Sequence, residues 1–190
     1  MRNFYLILLM IIYSLGCKST SLNFDSNEDS VAIKTVNEFY DWYINDAYPK
    51  SVSYYQVPPF EKLDETTYVF DLREFKERIN TIDYFSEDYK KKLVGRLENC
   101  NSEMRKIKWD YKPEPMFNID ACNYLWGNQW VGGQGERIDG YKIEKVQKNS
   151  GDFSVIVSIL IEDKVFVRSH VLLTKRDDEL KINNIKLVWN

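Results

Sequence analysis

The residues able to do chemistry in this chain are few and scattered. Asp120 and Asp41 are the carboxylates to weigh first, because an acid at the mouth of an apolar cavity has a raised pKa and can act as a general base. Each also has an ordinary use. Asp120 precedes a helical turn that holds Cys122 and Leu125, where an aspartate caps, and Asp41 stands beside Trp42, opposite the Phe39/Tyr43 stripe, on a solvent-facing position. The single histidine, His170, falls in phase with Phe166, Arg168 and Leu172 and has no cysteine or carboxylate at ligand spacing, so no metal and no cofactor is expected. No serine or cysteine has the glycine context of a nucleophile elbow. Gly132-Gly133-Gln134-Gly135 lacks the lysine and the following helix that phosphate cradling needs. Trp126 and Trp130, with Asn128 and Gln129 between them, combine flat apolar faces with amides. That mixture suits stacking on a sugar or gripping a peptide, and it equally suits anchoring a loop.

The cysteines belong to a different chemistry. Arg2 precedes an apolar run over residues 4–13, and Ser14, Leu15 and Gly16 then lead into Cys17, which is the order of a secretory signal. The run is too short to span a bilayer, which takes roughly 20 apolar residues. The segment resembles a bacterial lipoprotein signal with Cys17 as the lipidated residue, although Ser14 stands where that pattern has an aliphatic side chain. Lys18 in place of an aspartate favours the outer membrane, by resemblance to sorting rules. The expected organisation is a signal peptide over 1–16, a polar tether over 17–27 and one domain over 28–190. Lipidation of Cys17 leaves Cys100 and Cys122 as an even pair in a compartment that permits disulfides; a bridge and two separate buried thiols both remain open.

Charge narrows the partners. The 190 residues carry 26 Lys+Arg and 29 Asp+Glu, net −3, with neither sign gathered into a long block. Nucleic acid is therefore not an expected partner. The longest basic run, Lys90-Lys91-Lys92, is flanked by Glu87, Asp88 and Glu98 and reads as a solvated helix face.

The elements that must position these residues follow from periodicity. Ala32, Ile33, Val36, Phe39, Tyr40, Tyr43, Ile44 and Ala47 recur at helical spacing, with Asp29 or Ser30 as cap and an end before Pro49. Residues 48–70, with Pro49, Pro58 and Pro59, read as an ordered loop with a short extended piece. Asp71 and Glu74 predict a capping box for a second helix through Leu72, Phe75, Ile79 and Ile82. Ser86 caps a third, whose stripe is Tyr89, Leu93, Leu97, Cys100, Met104 and Ile107. After one further turn over 120–126 and a glycine-rich stretch over 127–135, the period changes to two. Strands are predicted at about 138–147, 152–162, 164–175 and 180–189, forming an antiparallel meander. The predicted core faces are Phe153, Val155, Val157, Ile159, Ile161 and Val165, Val167, Ser169, Val171, Leu173. In the last strand Ile182 and Ile185 break parity, which predicts a bulge at Asn183-Asn184.

Helices followed by a bent meander define an α+β domain with the N-terminal helices on the concave face of the sheet. Phe39-Tyr40-Asp41-Trp42-Tyr43, Tyr84-Phe85-Ser86-Glu87-Asp88 and residues 120–130 resemble a bacterial lipoprotein family catalogued as domain of unknown function 3828, within the nuclear transport factor 2-like (cystatin-like) cone folds. The resemblance implies a cone and an envelope location; it brings no activity. The reading that follows is a lipid-anchored, non-enzymatic module that binds a protein or small ligand. Two alternatives are an enzyme with Asp120 or Asp41 as base in the cone, and glycan binding through Trp126 and Trp130. Ile156, Leu160, Phe166 and Leu172 fall on the sheet face opposite the core, an apolar patch expected to dock an envelope protein or a second copy of the chain.

Overall fold

The computed structural model describes residues 27–50, 57–111, 113, 116 and 118–189. The signal, Cys17 and nearly all of the tether lie outside the described residues. What is described is an α+β arrangement of helices and a four-stranded antiparallel sheet.

Helix α1 (Asn27–Trp42) starts slightly earlier than its stripe requires, so that Glu28 and Asp29 sit in the first turn, where the helix dipole favours negative charge. It does not end before Pro49. A π-helical turn, Tyr43–Ala47, leads into the short α2 (Tyr48–Lys50). The widened turn comes just ahead of Pro49, whose ring would crowd the carbonyl one α-turn back. The extended piece in the following loop is a small hairpin, β1 (Phe60–Lys62) with β2 (Tyr68–Phe70), closed by stacking of Phe60 on Phe70 at 5.0 Å.

Helix α3 (Arg73–Asn80) forms without the expected capping box. Asp71 instead accepts from the Arg73 backbone N–H at 3.0 Å and grips the Arg73 guanidinium, which holds its carboxyl down at about 2. Glu74 is turned to Arg78, 2.8 Å away. Helix α4 (Glu87–Met104) is capped as its sequence demands, since the Ser86 hydroxyl accepts from the Tyr89 N–H at 3.1 Å. Tyr89, Leu93, Leu97, Cys100 and Met104 are all buried, and Ile107 lies beyond the helix end. The buried Asn101 joins this helix to the small hairpin by accepting from the Phe70 N–H at 2.7 Å and donating to its carbonyl at 2.9 Å.

Strands β3 (Gly140–Asn149), β4 (Asp152–Ile161), β5 (Lys164–Arg176) and β6 (Glu179–Val188) pair in sequence order. Each connection is two residues long with both at positive φ: Ser150 and Gly151, Glu162 and Asp163, Asp177 and Asp178. That is the pattern of a type I′ turn, whose twist matches the strands it joins. In β6, Leu172 faces Asn184 and Leu173 faces Ile182, so Asn183 is the extra residue and both Ile182 and Ile185 reach the core. Further register shifts occur between Ile143 and Lys145 and between Ile159 and Leu160. The second of these sets Val165 opposite Leu160 and leaves it 37% exposed, which corrects its assignment to the core face.

Helix α1 packs against β3, β4 and β6, laying Val36, Phe39 and Tyr40 on one face of the sheet. Ser86 links this layer to the bulge: its hydroxyl donates to Asn183 Oδ1 at 2.7 Å while its backbone N–H reaches the Ile182 carbonyl at 2.9 Å. Ser86→Ala removes the cap and orphans the bulged amide together. The expected loss is about 1–2 kcal/mol by urea unfolding, with the slope of the transition unchanged.

Candidate functional site

The sheet face covered by α1 is where a cone-type site would lie, and it is filled with aromatic rings. Trp130 is 0% exposed and packs edge-on to Phe39, Tyr43 and Phe85, with ring centroids at 5.8, 4.9 and 5.2 Å. Its Nε1–H points to the Tyr89 hydroxyl at 3.3 Å. Tyr40 donates from its hydroxyl to Ser169 Oγ at 2.6 Å and approaches the Trp130 carbonyl at 3.2 Å, so the polar tips beneath α1 satisfy one another. Burial pushes the Tyr40 and Tyr89 phenols well above their ordinary range, and both stay neutral at any physiological pH.

Neither candidate base faces that space. Asp120 is exposed. It is also no cap: the 3-10 turn Asn123–Trp126 begins after Cys122, with no side-chain bond at its start. Asp41 is exposed on α1 and accepts from the Tyr141 hydroxyl at 2.9 Å. Burial of Tyr141, reinforced by this carboxylate, raises its phenol. The two aspartates thus lack the enclosed apolar surroundings that would turn a carboxylate into a base at neutral pH.

The tryptophan–amide cluster turns inward instead of out. Trp130 and Asn128 are fully buried and Gln129 is half-buried, while the side chain of Trp126 lies outside the described residues. An exposed sugar platform built on Trp130 is therefore replaced by a core anchor. Asn128 closes the loop through its backbone, its N–H reaching the Gly133 carbonyl at 2.8 Å and its carbonyl receiving the Gly132 N–H at 2.7 Å. Gly132 needs its positive φ of 74°, and a Cβ there would come within 2.8 Å of the Trp189 ring. Among the described residues the buried Asn128 Oδ1 and Tyr124 hydroxyl have no hydrogen-bond partner; Arg96 lies 3.8 Å over the Tyr124 ring.

Cys100, on α4, and Cys122, just ahead of the 3-10 turn, are bonded to each other and fully buried. The bridge staples the loop that carries Trp130 to the longest helix.

The remaining site residues lie on the outer face of the sheet. Ile156, Leu160 and Phe166 are half-buried and Leu172 is exposed. His170 sits among them, directly between Ile156 of β4 and Lys186 of β6. No group of three His, Cys, Asp or Glu residues able to hold a metal occurs among the described residues. A polar knot on this face escaped the sequence reading: the Ser158 hydroxyl donates to Glu144, and Arg168 Nε donates to the same carboxylate at 3.0 Å. These partners hold the Glu144 carboxyl below its ordinary pKa. Its signal was present in the chain, since Ile143 and Val146 break strand parity as Ile182 and Ile185 do. The bulge between Ile143 and Lys145 is what brings Glu144 over Ser158 and Arg168.

Surface clefts elsewhere are lined by charges of both signs, several of them paired. The one at the start of α4 contains Lys90 with Glu87 at 2.9 Å and Arg176 with Asp88 at 3.0 Å. No protein-family model matches the chain, and no curated protein or solved structure matches it.

Proposed function

We propose that this protein is a lipid-anchored lipoprotein of the bacterial cell envelope, held in the outer membrane through Cys17, whose domain is a binding module and carries no catalytic centre in its concavity. The helices-on-meander arrangement is read as a cystatin-like cone of the kind implied by the resemblance to domain of unknown function 3828. The observation that carries the binding reading is the exchange of roles between the two sheet faces. The concave face, where cone proteins would place chemistry, is spent on Trp130, Tyr40 and Phe39. The outer face keeps Leu172 and Val188 exposed, with Ile156, Leu160 and Phe166 half-buried beside them.

A twofold pairing of identical outer faces suits this surface less well than its apolar strip suggests. It would bring two sets of Lys145, Arg168 and Lys186 into one interface, and like charges brought together out of water repel strongly. The face calls for a partner of opposite charge.

The anchor is tested in cells. Cys17→Ser is expected to abolish incorporation of labelled palmitate and to move the protein from membrane to soluble envelope fractions. Retained label on the variant would refute Cys17 as the lipidated residue.

A further inference from the structure

The charges of the outer sheet face are segregated. In a chain of net −3, its central cross-strand rows, Lys145–Ile156–His170–Lys186 and Lys142–Ser158–Arg168–Val188, present four cations against one carboxylate, Glu144. That carboxylate is already engaged by Ser158 and Arg168. Lys142, Lys145 and Lys186 are exposed and make no ion pair among the described residues. Leu172 and Val188 are exposed beside them on the same face. Exposed lysines around an apolar strip are the makings of a surface for the interface of an anionic bilayer, where each lysine near the headgroups adds attraction and the apolar side chains meet the acyl boundary.

We propose that this face rests on an anionic phospholipid bilayer, with Lys142, Lys145 and Lys186 among the headgroups and Leu172 and Val188 reaching the upper acyl region. The proposal rests on the lipoprotein reading for its geometry. Ten peptide links join Cys17 to Asn27, at most about 35 Å of extended chain, so an anchored domain stays within its own width of the membrane and only its orientation is open. An acidic protein would also suit the cations, but the tether delivers a bilayer to the face continuously.

The affinity of the face is measured apart from the anchor. The chain from residue 17 onward with Cys17→Ser, which retains every described residue, is sedimented with vesicles of phosphatidylcholine alone or of equal parts phosphatidylcholine and phosphatidylglycerol. Binding is expected to the anionic vesicles only, to weaken with added salt, and to fall by about a hundredfold or more in the Lys142→Glu, Lys145→Glu, Lys186→Glu variant. Circular dichroism of that variant verifies its fold, and Leu172→Ser, Val188→Ser supplies a second reading by weakening binding to anionic vesicles while leaving its salt dependence unchanged. Failure to bind anionic vesicles, or binding that charge reversal leaves unchanged, overturns the proposal. Retention on immobilised polyglutamate without vesicle binding also overturns it and assigns the face to an acidic protein. Failure of palmitate labelling with vesicle binding intact removes the anchor and keeps the face.

Discussion

Replacing Trp130 with alanine is expected to lower the unfolding free energy by about 3–5 kcal/mol, the largest single-residue effect anticipated in this protein. The indole is fully buried between α1 and the sheet, within 6 Å centroid to centroid of Phe39, Tyr43 and Phe85. Those rings belong to separate elements and cannot collapse together into the space left behind. Deletion also removes one hydrogen-bond donor of the buried Tyr89 hydroxyl, the indole N–H at 3.3 Å. With domains of this size stable by about 5–15 kcal/mol, the variant is expected to be marginal at 37 °C. Trp130→Phe separates the terms: it keeps a ring in the cluster and loses the hydrogen bond and part of the volume, so about half the effect should remain. Urea unfolding followed by far-ultraviolet circular dichroism decides it. A loss below about 1 kcal/mol for the alanine variant would show that the cluster is not the core of the fold.

Loss of the Cys100–Cys122 bond is expected to cost about 3 kcal/mol, because it closes a loop with a sequence separation of 22 and restricts the unfolded chain accordingly. For a domain of this length that corresponds to a fall in melting temperature of roughly 6–12 °C. Calorimetry of the wild type with and without dithiothreitol, compared with Cys100→Ala, Cys122→Ala, measures it. The reduced wild type and the double variant should melt close together, since both thiols sit in fully buried positions and a small residue replaces each. Equal melting of the oxidised and reduced wild type would show that the bond is absent in solution. The bridge ties the loop bearing Trp130 to α4, so reduction should also lower protease resistance first around residues 118–136, ahead of global unfolding.

Legibility in the sequence followed range of interaction. The cap at Ser86 is a contact three residues long, and it formed where the chain called for it; the box at Asp71 and Glu74 did not, because Arg73 and Arg78 offered those carboxylates charged partners instead. The bulge at Asn183 was readable because an interrupted alternation on one strand is a local fact. The bulge after Ile159 was not readable, since β4 keeps unbroken parity on its own and the irregularity exists only in its register with β5, which is why Val165 was placed in the core. Pro49 was overruled by tertiary contact: Tyr48 is buried and donates to the Glu136 carbonyl at 2.7 Å, holding the helix past the point where proline would end it.

The chain by itself determined the apolar stripe of each helix, the alternation of each strand and the short connections between them. All of these depend on spacing between near neighbours. Tertiary structure alone decided that Trp130 would be buried between α1 and the sheet, that Cys100 and Cys122 would meet, and that Lys142, Lys145, Arg168 and Lys186, each an ordinary surface residue of its own strand, would gather on one face. Periodicity states which side of an element avoids water; what stands opposite that side is set by register and packing among residues far apart in the chain.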